Sequence, residues 1–316
     1  MKRQFIRLMT VAALVCCLTL PVWAQPKALI PGGCTIGVKL QSPGPVVTGF
    51  EEKSAAADAG MRKGDVILRI DGKSVCTAAE LREMLAADSV ILTVLRNGRE
   101  AAFCVTPQNG QIGAYVQDSV AGIGTVTYYD PNTGMFGALG HGVSQGDTGH
   151  LMPMEAGVAV CASVVDVIKG KNGTPGELKG KFDTQRILGR VEQNHMNGIF
   201  GVMHVPVTGT PVPLATYSQV ETGPAEIMAN VSGEKIGRYA VEILKVYPNA
   251  DESGRNMLLR VTDPELLNTT GGIIRGMSGS PIVQNGKLVG AVTHVLVNDP
   301  TRGYGIFIEN MLDAAG

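Results

Sequence analysis

The residues best suited to chemistry lie in the segment GMSGSP at positions 276–281. The glycines on either side of Ser278 leave its hydroxyl uncrowded. Gly276 also lets the backbone turn so that its own N–H and that of Ser278 point at one place. Two donors fixed in this way can stabilise the charge that develops on a carbonyl oxygen, which is the task of an oxyanion hole. The segment therefore predicts a serine nucleophile with backbone donors beside it.

A β-hairpin is predicted to follow this serine. Asn285-Gly286 separates two apolar runs, and both residue types accept the positive φ angles of tight hairpin turns. The order of parts resembles the nucleophile region of chymotrypsin-like serine proteases. It departs from the G-x-S-x-G elbow of α/β-hydrolases, because Ser280 stands where the second glycine would be. A plain glycine–serine loop is the alternative, and the hairpin favours the catalytic interpretation.

A serine nucleophile needs a base within hydrogen-bonding reach and a third group that orients the base. Among the five histidines, His141 ends the run GALGH, where an imidazole can face an open cleft. His294 lies on the strand predicted to begin at Leu288. In a chymotrypsin-like layout this strand lines the substrate pocket, which places Thr293 and His294 there. Residue chemistry alone does not choose between the two histidines as the base.

Two aspartates are candidates for the orienting acid. Asp263 stands in VTDPEL, a segment that also predicts the start of a helix with Asp263 as N-cap and Pro264 in the first turn. Asp147, close after His141, is the alternative. From the residues alone, the cap is the simpler interpretation of Asp263.

Residues 30–107 have the pattern of a small α+β module. Ser54 is the predicted N-cap of a short helix. A turn, a strand and a second turn then follow one another in AGMRKGDVILRIDGKSV, at positions 59–75, and Thr77 with Glu80 forms a capping box that opens a second helix. This pattern resembles a bacterial PDZ domain, a module that binds extended peptides by adding a strand to a sheet edge. A simple spacer domain is the alternative. The resemblance implies a carboxylate-binding loop before the first strand, at Gly32, Gly33, Cys34 and Thr35.

The N-terminus has the layout of a secretory signal peptide. Residues 1–24 hold a basic start, an apolar run and a small-residue cleavage site. The apolar run is short for a membrane span, which needs ~20 residues, and an uncleaved anchor is the alternative. Both interpretations predict export across the cytoplasmic membrane, and the anchor adds membrane association through the N-terminus.

Composition excludes several classes of function. The chain has 316 residues, 17% of them charged, and a net charge of −1, which gives no basic footprint for nucleic acid. Abundant glycine and scarce aromatic residues favour short strands and turns. No cysteine pair has CxxC spacing, so neither a metal site nor a cofactor is predicted. One disulfide remains an option outside the cytoplasm, although buried free thiols are favoured for most of the cysteines.

Residues 112–316 follow a polar linker and form a series of short apolar strands, which predicts a β-barrel or sandwich architecture. Their motifs resemble those of the SpoIVB peptidase family, in which a PDZ module precedes a chymotrypsin-related serine endopeptidase domain. The matching segments are DSVAGIGT at 118–125, GALGH at 137–141, GPAEI at 223–227, GGI at 271–273, GMSGSP at 276–281 and GAVTHV at 290–295.

The resemblance implies a mainly β chain with a signal peptide or membrane anchor at 1–24, a PDZ domain at 30–107 and a chymotrypsin-like double β-barrel peptidase domain at 112–316. It makes His141 the general base, Ser278 the nucleophile and Asp263 the orienting acid.

It also implies a biological setting: self-processing, and cleavage of a membrane-associated regulator during spore formation, in the space between the two forespore membranes. The PDZ ligand would be a peptide of its own chain or of a membrane protein. A catalytically inactive PDZ-based adaptor and a nonproteolytic esterase are the alternatives.

Overall fold

The computed structural model describes residues 28–145, 149–249 and 254–316. The predicted signal peptide or anchor at 1–24 and the alternative acid Asp147 lie outside these ranges. Across the described ranges, no helix is long and apolar enough to cross a bilayer.

Strands dominate the described part of the chain, with four short helices and one 3₁₀ turn at Tyr217–Gln219. The helices are α1 Ala55–Asp58, α2 Ala78–Met84, α3 Pro264–Thr270 and α4 Ile308–Ala315. The strands are β1 Ala28–Pro31, β2 Thr35–Phe50, β3 Val66–Ile70, β4 Lys73–Ser74, β5 Val90–Arg96, β6 Arg99–Val105, β7 Ala114–Tyr129, β8 Met135–Ala138, β9 Ala156–Ile168, β10 Glu177–His195, β11 Gly198–Met203, β12 Val212–Pro213, β13 Gly223–Ser232, β14 Lys235–Val246, β15 Met257–Val261, β16 Pro281–Gln284, β17 Lys287–Leu296 and β18 Asp299–Phe307.

The PDZ unit has its own apolar core, built from residues between Val47 and Ile112. Local sequence begins its helices as predicted. The Ser54 hydroxyl accepts the N–H of Ala57 at 3.1 Å, and Thr77 accepts that of Glu80 at 3.2 Å. These bonds satisfy N–H groups that have no partner inside a first helical turn.

Strand β2 belongs to two units. Its residues 35–41 pair with β7 on one side and with β9 on the other, whereas Val46 pairs with Val66 of β3 in the PDZ sheet. The predicted start of the PDZ domain at residue 30 is therefore too early, because the first half of β2 packs in the neighbouring barrel.

The strand pairings close two six-stranded barrels. The first barrel runs β2–β7–β8–β11–β10–β9 and returns to β2. The second runs β13–β14–β15–β18–β17–β16. Ile36, Phe136 and Ile199 are buried in the first, and Ile227 and Val292 in the second. The predicted mainly β fold with a double barrel is confirmed.

Candidate active site

Ser278 lies in the turn between α3 and β16. The flanking Gly276 and Gly279 have φ angles of 96° and 94°, which glycine adopts without strain. A Cβ atom at Gly279 would lie 2.0 Å from the carbonyl oxygen of Thr125, so only glycine fits there. Met277 is fully buried in the core of the second barrel and anchors the turn.

Two backbone donors of this turn are unpaired. Within the described residues, the N–H groups of Gly276 and Ser278 have no hydrogen-bond acceptor. The N–H groups of Met277 and Gly279 both donate to backbone carbonyls. The unpaired donors are the two that the sequence assigns to the oxyanion hole.

His141 follows β8 and lines the same cavity as Ser278. Its Nδ1 lies 2.9 Å from the carbonyl oxygen of Gly142. Because a carbonyl oxygen only accepts, Nδ1 carries the proton and Nε2 presents a lone pair. Burial lowers the pKa of His141 from 6.5, and the bond to Gly142 partly offsets this effect. The imidazole is therefore neutral at pH 7, in the tautomer that a general base requires.

His294 stands beside His141, with the two ring centroids 5.2 Å apart. Burial is the main cause that lowers the pKa of His294 to about 4, and repulsion from the protonated form of His141 and from Arg255 adds to it. His294 lines the cavity as predicted for the substrate pocket. The Thr293 side chain is buried and donates to the Gly254 carbonyl at 3.3 Å, so the predicted pocket role of that side chain needs correction.

The hydroxyl of Ser278, the predicted nucleophile, is bound to a backbone carbonyl. The Ser278 hydroxyl donates to the carbonyl oxygen of Thr293 at 2.8 Å. The hydroxyl has to turn away from this carbonyl before it can give its proton to Nε2 of His141. Catalytic hydrogen bonds often form fully only when substrate is bound, so this arrangement is compatible with catalysis.

Asp263 is found at the predicted N-cap of α3. Its Oδ1 accepts the N–H of Leu266 at 3.0 Å, and its Oδ2 accepts that of Ala240 at 3.2 Å. Its negative charge also helps to raise the pKa of Tyr239, together with burial and Glu265. The cap is thus made, and among the described residues the hydrogen-bond partner of the His141 ring is the Gly142 carbonyl. The catalytic role of Asp263 stays a prediction.

His141, Ser278 and His294 share a cavity of about 650 Å³ that both barrels line, and Asp263 is not among its lining residues. Apolar side chains of the first barrel form one wall, and Arg275 is an exposed cation at the rim. No carboxylate is among the described residues that line it. The full lining is Val38, Val120, Gly122, Ile123, Leu139, His141, Gly142, Val143, Ser144, Arg275, Gly276, Ser278 and His294.

The predicted carboxylate-binding loop of the PDZ domain is misplaced. The N–H groups of Gly32 and Gly33 donate to carbonyls of β7 at 2.9 and 2.8 Å. The side chains of Cys34 and Thr35 also bond to partners in the barrels. These residues lie against β7 of the first barrel and the N–H groups of the two glycines are in use, so this loop does not offer the set of free donors that a peptide carboxylate needs.

The PDZ unit instead has a groove between α2 and the start of β7. Residues 114–117 of β7 pair with β2 along one edge. Leu81 and Arg82 of α2, with residues 110–116, line a cavity of about 210 Å³ along this part of β7. In the described part of the chain no strand pairs with the opposite edge of residues 114–117, and a peptide added there would extend the sheet in the manner of PDZ ligands.

Free donors stand at the head of this groove. Within the described chain, the N–H groups of Ile112 and Gly113 have no acceptor. The sequence predicts only a polar linker at 107–111, whereas Gly110 and Gln111 line the groove. The available signal was the pair Gly110 and Gly113 directly before a strand.

The four cysteines in the described ranges are free thiols. Burial raises the pKa of Cys34, whose Sγ lies 2.9 Å from the Tyr129 hydroxyl. No three His, Cys, Asp or Glu side chains cluster as metal ligands within the described residues.

Comparison with known proteins gives matches over both units. Residues 108–312 match the SpoIVB peptidase S55 family, and residues 46–96 match a PDZ domain. The putative zinc metalloprotease Atu1380 of Agrobacterium fabrum is 25% identical over 214 residues, which is 65% of this chain and 52% of that protein. The chain thus spans about half the length of this curated relative.

Two solved structures of the Rv3671c protease of M. tuberculosis H37Rv, both inactive forms and one a serine-to-alanine mutant, are also similar. Each is 14% identical with a TM-score of 0.33, and each covers 61% of this chain. The matches cover 82% and 84% of those chains. Since the peptidase match extends over well more than half of its length, this chain belongs to the SpoIVB peptidase S55 family, and its first unit is a PDZ domain.

Proposed function

We propose that this chain cleaves a protein substrate at an internal peptide bond, with Ser278 as nucleophile and His141 as general base. The observation that carries the proposal is a convergence on one cavity. The serine, the neutral histidine with its proton on Nδ1, and the unpaired N–H groups of Gly276 and Ser278 all meet there.

The mechanism follows from these positions. Ser278 Oγ attacks the peptide carbonyl carbon while Nε2 of His141 takes the hydroxyl proton, and the oxyanion receives the two backbone N–H groups. The proton then passes to the leaving amine, and the acyl-enzyme remains. Water, deprotonated by the same Nε2, releases the acyl group and restores the serine. In the role that the family resemblance gives it, Asp263 supports the imidazolium formed in each half.

The charge in the cavity favours a substrate with an acidic side chain close to the scissile bond. Arg275 precedes the nucleophile turn and lines a cavity to which the described residues contribute no carboxylate. A peptide library cut by wild type, Arg275→Glu and His294→Ala tests this. We expect acidic residues to be favoured about tenfold by wild type, the effect of ~1.4 kcal/mol, and to lose that advantage in Arg275→Glu. Identical cleavage profiles would contradict the assignment.

The PDZ groove would capture an extended peptide, either from this chain itself or from a membrane protein. The family resemblance supports the finer proposal: an exported enzyme, held at the membrane through its N-terminus, that processes itself and cleaves a membrane-associated regulator during spore formation. The unpaired N–H groups of Ile112 and Gly113 support capture of a peptide carboxylate.

Mass spectrometry of purified wild type and Ser278→Ala after incubation tests the proposal. Wild type should accumulate defined fragments of itself or of an added protein, and Ser278→Ala should not. An inactive adaptor is the second candidate, favoured by the bond from Ser278 to Thr293. No cleavage by wild type would support the adaptor, and cleavage of esters but not of peptides would support an esterase.

A further inference from the structure

We infer that Thr125 and Thr127 of β7 are positioning residues, which hold the turn around Ser278 in the form that leaves its oxyanion donors free. The inference rests on the proposed peptidase function. Neither threonine lines the catalytic cavity, so neither touches substrate. Both act through the backbone of the turn.

Three contacts join β7 to the turn. The Thr125 hydroxyl donates to the carbonyl oxygen of Gly276 at 2.8 Å, and the Thr125 N–H donates to that of Ser278 at 2.9 Å. The Thr127 hydroxyl donates to the carbonyl oxygen of Gly279 at 2.8 Å. Alternate residues of a strand face the same side, so both hydroxyls reach the same turn.

These contacts fix the peptide planes on both sides of the nucleophile. The planes that follow Gly276 and Ser278 have their carbonyls bound by β7, and their N–H groups donate elsewhere in the second barrel. A peptide unit is planar, so the direction of each fixed carbonyl also fixes the backbone around it. The N–H of Ser278 lies between the two fixed planes and is directed by both.

Glycine makes this support necessary. Gly276 has a φ of 96°, and glycine reaches positive and negative φ with similar ease. The peptide after Gly276 is therefore free to reverse unless something holds it, and a reversal would turn its N–H, that of Met277, away from the Ile274 carbonyl and change the backbone between the two oxyanion donors. The hydroxyl of Thr125 opposes that reversal, because it would lose its acceptor.

The burial of the two threonines also supports their role as positioning residues. Thr125 and Thr127 are 1% and 0% exposed, and a buried hydroxyl without a partner destabilises the folded state. Valine would fill these strand positions with a similar shape and no such cost. The hydroxyls are thus explained by their acceptors, the carbonyls of the nucleophile turn.

The test compares Thr125→Val and Thr127→Val with two references. Thr125→Ser keeps the hydroxyl. Thr270→Val removes a buried hydroxyl that donates to the Leu266 carbonyl at 2.9 Å, outside the cavity. For each protein we would measure kcat and KM on a peptide substrate, the affinity for a peptide boronate that mimics the oxyanion, the affinity for the matching peptide amide, and Tm.

Direct removal of an oxyanion donor costs ~10²–10³ in kcat, so loss of a supporting contact should cost about 10- to 100-fold on the same scale. We expect kcat and boronate affinity to fall together in both valine variants, with KM and amide affinity nearly unchanged. Thr125→Ser should recover most of the loss. Thr270→Val should lower Tm without lowering kcat.

Unchanged kcat and boronate affinity in folded valine variants would overturn the inference, as would equal losses for boronate and amide. If one valine variant fails to fold, the other decides. If neither folds, the hydroxyls serve folding and the inference is wrong. A wild-type protein that neither cleaves peptides nor binds boronate would instead contradict the proposed function.

Discussion

Two glycine turns of this chain have similar backbones and opposite uses of their donors. Gly33 and Gly276 have φ angles of 93° and 96°. At the first turn, the N–H groups of Gly32 and Gly33 are bound to carbonyls of β7. At the second, β7 binds the carbonyls, and the N–H groups of Gly276 and Ser278 are left without acceptors in the described chain.

A glycine turn can therefore bind an anion only where its neighbours bind its carbonyl oxygens and not its N–H groups. Carbonyl oxygens of β7 accept the N–H groups of the first turn. At the second turn, donors of β7 bind the carbonyl oxygens instead. One turn therefore contributes to packing, where Gly33 lies against Ile236 of the second barrel, and the other is available for chemistry. Variants at each turn test whether the N–H groups of the two turns have these different roles.

The largest expected effect comes from the base that faces the second turn. His141→Ala should lower kcat by ~10⁶-fold, since members of a catalytic group act as a unit. His294→Ala is the matched comparison and should retain labelling of the serine while it alters cleavage preference. Steady-state kinetics with both variants, checked for folding by Tm, decides between them. Near-normal turnover in His141→Ala with loss in His294→Ala would reverse the assignment of the base.

Asp263→Asn separates a catalytic role from a structural one. On the role implied by the family resemblance, kcat should fall by ~10⁴-fold, because the amide would favour the wrong imidazole tautomer. Asparagine caps a helix as well as aspartate does, and Tm measured beside kcat reports the loss of the bond from the Ala240 N–H, which an amide nitrogen does not accept. Retained kcat would assign Asp263 to the fold and leave the Gly142 carbonyl as the group that sets the tautomer.

A matched pair of substitutions addresses the two turns directly. An added Cβ would lie 3.0 Å from the Leu178 Cβ in Gly276→Ala and 2.9 Å from the Ile236 Cγ2 in Gly33→Ala, so the steric disturbance is similar. Gly276→Ala should lower kcat by ~10²–10³, the scale of a lost oxyanion donor, while Gly33→Ala lowers Tm alone. Equal losses of kcat per folded molecule would remove the distinction between the turns.

The smallest effect is expected for a side chain that lines the PDZ groove. Tyr115 is 57% exposed and lines the groove. Tyr115→Ala should weaken binding of a peptide with a free C-terminus about tenfold, or ~1.4 kcal/mol. Tyr217→Ala removes a tyrosine of similar exposure, 54%, outside the groove, and should not alter binding. Calorimetric titration that finds equal affinities for all three proteins would contradict the placement of the groove.

Local signals in the sequence predicted the parts that depend on near neighbours. The caps at Ser54, Thr77 and Asp263 and the turn at Asn285-Gly286 all form as predicted. Each depends on bonds or dihedral angles within a few residues. The nucleophile turn is predictable as a turn for the same reason, because its glycines accept the positive φ angles that it needs.

Features set by distant partners could not be predicted. The first half of β2 joins a barrel with β7 and β9, far along the chain, and no local pattern shows where β2 changes sheets. The donors of Gly32 and Gly33 were misassigned for the same reason, since their acceptors are in β7. The support from Thr125 and Thr127 is equally non-local.

A fluorophosphonate label located by mass spectrometry tests the central claim most directly. Ser278 is predicted to be an activated nucleophile beside open oxyanion donors, whereas Ser280 in the same segment is fully buried. We expect one adduct, on Ser278, that persists in Ser280→Ala and is lost in Ser278→Ala and His141→Ala. Folded wild-type protein that takes no label, or takes it on another serine, would contradict the account.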